Sequence, residues 1–259
     1  MRLFFIRHGD PDYDKDGLTE KGITEAGILA KHIKALNLDD IYVSPLGRAS
    51  ETASYSLDAL GADAVVCDWL REFSAAFDPY KADDAERSAY TYRINKETGL
   101  YEKRILWDIL PSYYLDHPEL FEKDKWRSSK LVSFSDMTEK YDQVISSFDD
   151  LLSGYGYVRS GSGYRVENGN SKNIGFFCHF GITSVLLSRL WNISPFIPLQ
   201  FLATAPTSVT EVVTEERQKG IAIFRALRIG DISHLAMEGE PPSFAARFCE
   251  RFENTDERH

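Results

Sequence analysis

Cysteine is scarce in this chain. Its three cysteines, Cys67, Cys178 and Cys249, are scattered along 259 residues. A disulfide framework needs more cysteines in a shorter chain, and a zinc site needs ligands at short spacing, which neither His32 nor His117 has around it. We therefore predict no disulfide scaffold and no metal site. Cys67 and Cys178 lie in apolar stretches, and we expect both to be buried like small hydrophobic side chains.

Long apolar runs are also missing. No stretch of the sequence approaches the roughly 18 apolar residues that a membrane-spanning helix needs. The apolar run at residues 3–6 is far shorter than the core of a signal peptide, which has about 7–15 residues. We therefore expect a cytoplasmic protein that has no membrane partner.

Positive charge is in the minority. The chain has 30 lysines and arginines against 40 aspartates and glutamates, which gives a formal net charge of −10. Such a protein repels the phosphates of nucleic acids over most of its surface, so we predict no nucleic-acid partner. Any anion that binds must be held by a local basic pocket.

Short apolar runs alternate with helical patterns along much of the chain. The runs at 3–6, 41–43, 64–67 and 174–178 predict strands, and residues that follow each of the first two have the periodicity of a helix. This alternation predicts an α/β fold with a mostly parallel central sheet. Two further strands are predicted at 209–213 and 221–227, and a hairpin turn is predicted at 160–163.

Residues 73–135 have a different pattern. This segment mixes aromatic side chains with many charges and shows no strand alternation. We predict a mainly helical insertion within a single domain that spans residues 1–259. The insertion would cover the site as a lid and contribute to specificity, although most of its aromatic residues are expected to serve packing.

Two histidines follow predicted strands directly. His8 comes after the run at 3–6 and Arg7, and His179 comes after the run at 174–178. In open α/β sheets ligands bind outside the carboxyl ends of the strands, so the two histidines are expected to face the same crevice.

Two arginines accompany these histidines. Arg7 precedes His8, and Arg48 follows the predicted strand at 41–43. Two guanidinium groups suit a dianion, because each can donate a pair of hydrogen bonds to phosphate oxygens. A neutral imidazole beside them could attack phosphorus and form a covalent phosphohistidine. The pattern therefore indicates phosphoryl transfer.

These motifs resemble those of the histidine phosphatase superfamily, the phosphoglycerate-mutase-like clan. The resemblance is strong over residues 1–72 and returns at about 174–190. It is carried by Arg-His-Gly at 7–9, Leu-Thr-Glu-Lys-Gly at 18–22, Ser-Pro-Leu-Gly-Arg-Ala-Ser-Glu-Thr-Ala at 44–53, Leu-Arg-Glu at 70–72 and Cys-His-Phe-Gly at 178–181.

The resemblance implies a three-layer α/β/α sandwich and phosphoryl transfer that needs neither a metal nor another cofactor. It implies that His8 is the nucleophile and that Arg7, Arg48 and His179 bind the phosphoryl group, with His179 also counted among the catalytic residues. Glu72 matches the glutamate that protonates the leaving oxygen in this superfamily. Asp10, two residues after His8, is the alternative acid.

Two departures from the mutase pattern favour hydrolysis. In the simplest alignment Asp14 replaces an asparagine that would donate to phosphate, and Glu72 lies outside the mutase context Arg-His-Tyr-Gly. We therefore predict a phosphomonoester hydrolase that acts on a small phosphorylated metabolite. A phosphoglycerate-mutase-type phosphomutase and a non-catalytic module that binds a phosphorylated ligand are the alternatives. The sequence leaves the substrate and the oligomeric state open.

Overall fold

The computed structural model describes residues 1–91, 94–102, 104–245, 247 and 250–256, so Cys249 lies outside the described residues. The chain forms two compact units. The first unit comprises Met1–Glu72, Leu151–Thr183 and Ala203–His259, and the second comprises Phe73–Asp150 and Ser184–Leu202.

Twelve strands occur in the described residues. In chain order they are β1 (Arg2–Arg7), β2 (Pro11–Asp12), β3 (Gly17–Leu18), β4 (Asp40–Val43), β5 (Val65–Val66), β6 (Ala76–Phe77), β7 (Arg104–Ile105), β8 (Tyr157–Ser160), β9 (Gly163–Val166), β10 (Asn173–Cys178), β11 (Val209–Gln218) and β12 (Ile221–Asp231).

The helices of the described residues alternate with these strands. They are α1 (Glu20–His32), α2 (Gly47–Leu60), α3 (Asp84–Arg87), α4 (Pro111–Asp116), α5 (Lys130–Ser133), α6 (Met137–Gly154), α7 (Phe180–Trp191), α8 (Phe196–Phe201) and α9 (Ser233–Met237). The hydroxyl of Thr19 caps α1 by accepting a hydrogen bond from the Gly22 amide, as its position before the helix predicts.

The first unit is built on an eight-stranded sheet in the order β5-β4-β10-β1-β11-β12-β9-β8. The four strands from β5 to β1 are parallel to one another, and the other four extend the sheet with antiparallel pairings. The predicted α/β fold is therefore confirmed. The predicted hairpin is also confirmed, because β8 and β9 pair on either side of residues 161–162.

The core of this unit follows from the alternation of side chains along β1. Phe4 and Ile6 lie in one apolar cluster with Leu29 and Ile33 of the α1 region. Phe5 points to the opposite face of the sheet, where its ring stacks on Phe176 at a centroid distance of 5.3 Å. Because both faces of β1 are buried, the strand reads as a continuous apolar run rather than an alternating one.

The prediction that both Cys67 and Cys178 are buried is half wrong. Cys178 is fully buried at the end of β10, but Cys67 is only partly buried. Cys67 follows the edge strand β5, whose Val65 and Val66 are themselves 58% and 62% exposed. An apolar run at a sheet edge has one side without a neighbouring strand, so its apolar composition overstates its burial.

The second unit combines the two-stranded sheet β6-β7 and short helices with most of the 18-residue helix α6. The predicted insertion at 73–135 falls within this unit, and its role as a lid stays a prediction. No helix in the described part of the chain has both the length and the apolar character needed to cross a membrane.

Candidate active site

The two histidines identified in the sequence lie side by side. Arg7 at the end of β1 is paired in register with Cys178 at the end of β10, so His8 and His179 leave the sheet at the same level. The His8 amide donates to the Cys178 carbonyl at 3.1 Å. The two imidazole rings have a centroid distance of 5.0 Å and are inclined by 57°. The two rings therefore lie together, as the sequence predicts. That they line a ligand-binding crevice stays a prediction.

The hydrogen bonds of His8 distinguish its two ring nitrogens. Its Nδ1 lies 2.7 Å from the Gly9 carbonyl oxygen, which can only accept, so Nδ1 carries the proton. Its Nε2 therefore keeps a lone pair, and Arg48 Nε donates to it at 3.4 Å. Burial, reinforced by the charges of Arg7 and Arg48, holds the pKa of His8 well below its ordinary value. The imidazole is consequently neutral at pH 7.

The backbone of His8 and Gly9 is tightly held. The Thr207 amide donates to the His8 carbonyl at 3.1 Å, and Thr207 itself has a φ of +57°, which is rare for a β-branched residue. The Gly9 amide donates to the Thr52 hydroxyl at 2.9 Å. A Cβ on Gly9 would lie 2.7 Å from the Gly22 carbonyl oxygen, so this close approach of the loop to α1 requires glycine.

Arg7 has a buried side chain, and its guanidinium makes hydrogen bonds to main-chain oxygens. Its side chain donates to the carbonyl oxygens of Thr204 and, at 3.4 Å, Ala245. Its Nε is buried and has no hydrogen-bond partner among the described residues. Desolvation lowers the pKa of Arg7, and the negative charge of Glu72 is the largest effect that opposes this. An unpaired buried donor of this kind suits an anionic ligand.

Arg48 lies in the first turn of α2 and bridges two groups. Besides its contact with His8, its guanidinium donates to Asp16 Oδ1 at 2.8 Å. Asp16 Oδ2 accepts from the Gly47 amide at 2.8 Å, and the guanidinium also lies 5.5 Å from the centre of the Tyr13 ring. The sequence did not single out Asp16, because nothing distinguishes it from the other aspartates of the loop after His8.

His179 is bound by Ser44, which the sequence analysis named only as the first residue of the motif at 44–53 and gave no role. Its Nε2 lies 2.8 Å from Ser44 Oγ, and both residues are fully buried. Its Nδ1 is buried and has no partner among the described residues. Desolvation is the main reason why the pKa of His179 is strongly lowered, and the neighbouring His8, Arg48 and Arg7 add to the effect. This ring is also neutral at pH 7.

The two candidate acids have different partners. Glu72 is half-buried, and its Oε1 accepts from the Ile182 amide in the first turn of α7 at 3.1 Å. Asp10 accepts from the Thr19 hydroxyl at 2.7 Å and is thereby tied to the start of α1. Glu72 also acts more strongly than Asp10 on the pKa of Arg7. Both acids belong to the same unit as the histidines. Which of them acts as the acid stays a prediction.

The described residues contain no group of three or more histidine, cysteine, aspartate or glutamate side chains that could hold a metal ion. Asp14, which takes the place of a phosphate-binding asparagine in the simplest alignment, is exposed. Its amide donates to Asp12 within the loop, and this hydrogen bond does not direct Asp14 into the group of histidines and arginines. The positive charge beside the two histidines comes from Arg7 and Arg48.

Comparison with known proteins agrees with the motifs. Residues 3–102 match the model of the histidine phosphatase superfamily (branch 1). A Hydrogenobacter thermophilus protein, whose name marks it as a proposed phosphoserine phosphatase, is 37% identical over 82 residues, which are 28% of this chain and 40% of the relative. A 2,3-bisphosphoglycerate-dependent phosphoglycerate mutase of Thermoplasma acidophilum is 29% identical over 133 residues, or 48% of this chain and 58% of the relative.

The chain thus spans about half the length of these curated relatives. Solved structures match over more of it. The phosphoserine phosphatase of Entamoeba histolytica superposes with a TM-score of 0.54 and 17% identity, covering 90% of this chain and 98% of that one. A mycobacterial glucosyl-3-phosphoglycerate phosphatase superposes with a TM-score of 0.53 and 15% identity, and it covers the same shares of the two chains. These two likenesses concern the fold. The resemblance to the histidine phosphatase superfamily is confirmed.

Proposed function

We propose that this relative of the histidine phosphatase superfamily is a phosphomonoester hydrolase that acts on a small phosphorylated metabolite through a phosphohistidine at His8. One observation carries the proposal. A neutral histidine whose Nε2 keeps its lone pair lies beside a second histidine and two arginines. Arg7 Nε and His179 Nδ1 are buried and have no hydrogen-bond partner in the part of the chain that the structure describes. A phosphoryl group would supply acceptors to both of these atoms.

In the first step His8 Nε2 forms a bond to phosphorus while the bond from phosphorus to the ester oxygen breaks. Arg7, Arg48 and His179 donate to the phosphoryl oxygens, where charge is spread in the transition state. Glu72, in its protonated form, gives its proton to the leaving oxygen, because an alkoxide leaves poorly without one. The alcohol departs and His8 carries the phosphoryl group.

In the second step water attacks phosphorus. Glu72, now a carboxylate, removes a proton from the water, the bond between phosphorus and Nε2 breaks, and inorganic phosphate is released. Glu72 is then protonated again and His8 is neutral, with its proton on Nδ1. No metal or other cofactor enters the cycle, because the two guanidinium groups supply the positive charge.

A phosphomutase is the second candidate, since one of the relatives is named as a phosphoglycerate mutase. It would use the same phosphohistidine but return the phosphoryl group to the bound intermediate. Asp14 is exposed, where a mutase of this clan would hold a phosphate-binding asparagine, and this favours water as the acceptor. The names of the relatives suggest phosphoserine, 3-phosphoglycerate and glucosyl-3-phosphoglycerate as the first esters to test.

The decisive experiment measures inorganic phosphate released from these esters in the presence of a chelator. We expect the wild-type chain to release phosphate and His8→Ala to release none, because the variant has no nucleophile. His117→Ala is the matched control, since His117 lies in the second unit and bonds to the Tyr113 carbonyl. Full turnover by His8→Ala would refute the phosphohistidine mechanism, and isomerisation of phosphoglycerate without phosphate release would identify a mutase.

A further inference from the structure

The hydroxyl of Ser44 contacts Nε2 of His179, the ring nitrogen that has no part in the proposed reaction. Ser44 follows β4 directly, and its amide donates to the Phe177 carbonyl of β10 at 2.9 Å. This pairing places Ser44 Oγ 2.8 Å from His179 Nε2. Both residues are fully buried, so water does not compete for the contact.

The proton of this hydrogen bond can be assigned from the other partner of Ser44. Ser44 Oγ accepts a hydrogen bond from the Leu46 amide at 3.3 Å. If Nε2 carried the proton and donated to Oγ as well, the hydroxyl proton would have no acceptor among the described residues. A buried donor without an acceptor is costly. If the hydroxyl instead donates to Nε2, every atom of Ser44 is satisfied.

A neutral imidazole has one proton, so a hydroxyl that donates to Nε2 requires the proton to be on Nδ1. The geometry points to Ser44 as a positioning residue that fixes His179 in the Nδ1-protonated form and so makes it a hydrogen-bond donor to the phosphoryl group. This inference rests on the proposed function. It explains why Nδ1 is buried without a partner among the described residues, because a donor kept for a ligand is not used within the protein.

The two histidines of the site are thereby given distinct tasks by their neighbours. The Gly9 carbonyl keeps the His8 proton on Nδ1, so Nε2 has the lone pair with which it would attack. The Ser44 hydroxyl donates to Nε2 of His179, so the nitrogen left for the ligand is the protonated Nδ1. His8 would thus present a lone pair to the ligand, and His179 would present an N–H. Without Ser44 the His179 proton could move to Nε2, and the bare Nδ1 would then repel a phosphoryl oxygen.

The test is a long-range correlation of ring protons with ring nitrogens by NMR on the full chain labelled with ¹⁵N-histidine, in the absence of any ester. The signal of His179 is assigned by its loss in His179→Gln. We expect the wild-type chain to show a protonated Nδ1, and Ser44→Ala to show a mixture of tautomers or a protonated Nε2. Saturating inorganic phosphate should shift the wild-type Nδ1 signal. A wild-type His179 protonated at Nε2, or an Nδ1 signal that phosphate leaves unchanged, would overturn the inference.

Kinetics complete the test. We expect Ser44→Ala to lower kcat/KM for the preferred ester by about tenfold or more, since an active-site donor is lost in part of the molecules. Ser44→Thr keeps the hydroxyl and should restore both the tautomer and most of the rate. Ser50→Ala is the matched control, because Ser50 donates to the main-chain oxygen of the same Ser44.

Full activity of Ser44→Ala would contradict the inference, as would a failure of Ser44→Thr to recover the tautomer. If no ester is hydrolysed at all, the proposed function fails, but the tautomer measured in the resting protein still decides the role of Ser44.

Discussion

At the scale of single residues, the choice of acid is the sharpest question about the proposed reaction. We predict that Glu72→Gln lowers kcat for an alkyl phosphate by about 10²–10⁴-fold, the usual contribution of a general acid. The same variant should form the phosphoenzyme from p-nitrophenyl phosphate at a nearly normal rate, because p-nitrophenolate leaves without a proton. The measurement is the burst of p-nitrophenol, compared with the turnover of the alkyl ester.

Asp10→Asn is the matched variant for this experiment. An asparagine at this position keeps an oxygen that can accept from the Thr19 hydroxyl, so the start of α1 is preserved. We expect its rates to stay close to the wild-type rates with both esters. A loss that depends on the leaving group in Asp10→Asn, and is absent from Glu72→Gln, would transfer the role of the acid to Asp10.

The residues that could be predicted from the sequence are those whose type is unusual at their position. His8 and His179 stand out because each is a titratable group directly after an apolar strand, and Arg7 and Arg48 stand out as positive charges in an acidic chain. Ser44 has no such signal, because a serine before a proline is typical of any loop. Its role depends on the pairing of β4 with β10, which are separated by more than a hundred residues.

At the scale of elements, the start of α1 packs against the loop that carries His8. A Cβ on Gly22 would overlap the Asp10 carbonyl oxygen, so α1 or the loop would have to move. We predict that Gly22→Ala lowers the free energy of unfolding by about 1–3 kcal/mol, the usual cost of overpacking. It should also reduce phosphate release, because the loop includes Gly9. Urea denaturation and the phosphate assay measure the two effects.

Gly27→Ala on the same helix is the control for this prediction. A Cβ at Gly27 meets no other atom within 4 Å, so alanine brings its higher helix propensity without a clash. We expect Gly27→Ala to raise the free energy of unfolding by about 0.5–1 kcal/mol and to leave activity unchanged. Equal destabilisation by the two substitutions would show that helix packing at Gly22 is not the cause.

The elements that could be predicted are those with a buried face. The apolar runs of β1 and β10 and the periodicity of α1 and α2 identify the parallel part of the sheet, which carries the site. The outer ends of β11 and β12 could not be predicted, since residues 214–218 and 228–231 are mostly polar and at least partly exposed. Each of these ends pairs with the predicted part of the neighbouring strand, Glu215 with Ile223 and Arg228 with Glu211. A single-strand pattern does not contain this pairing.

At the scale of the whole molecule, the second compact unit is larger than the insertion predicted at 73–135. The second unit also contains Ser184–Leu202, whose first residues continue α7 out of the first unit. Composition could not mark this boundary, because an apolar helix that passes from one unit into the other keeps the same pattern throughout. The aromatic and charged composition of 73–135, by contrast, differs visibly from that of its flanks.

Folding of the first unit buries three neutral histidines, and this predicts a loss of stability in acid. His234 is buried with its Nε2 3.1 Å from the Thr207 hydroxyl oxygen, and desolvation lowers its pKa to about 4 from the ordinary 6.5. Between these two values the unfolded chain binds a proton that the folded chain does not. The free energy of unfolding therefore falls as the pH is lowered from 6.5 to 4. His8 and His179, whose pKa values are also lowered, act in the same direction.

The contribution of His234 to the loss of stability in acid can be measured with the variant His234→Gln. The Thr207 hydroxyl donates to the Pro206 carbonyl, so His234 Nε2 is the donor to Thr207, and a glutamine amide can replace it. Since one pKa unit corresponds to about 1.4 kcal/mol, we expect the wild-type chain to lose about 2–3 kcal/mol more than the variant between pH 7 and pH 4.5. Urea denaturation at both pH values measures this difference, to which the carboxylates contribute equally in the two proteins. Equal losses would mean that folding does not lower the pKa of His234. The ring would then be charged at pH 4.5 beside Thr207, whose amide binds the His8 carbonyl.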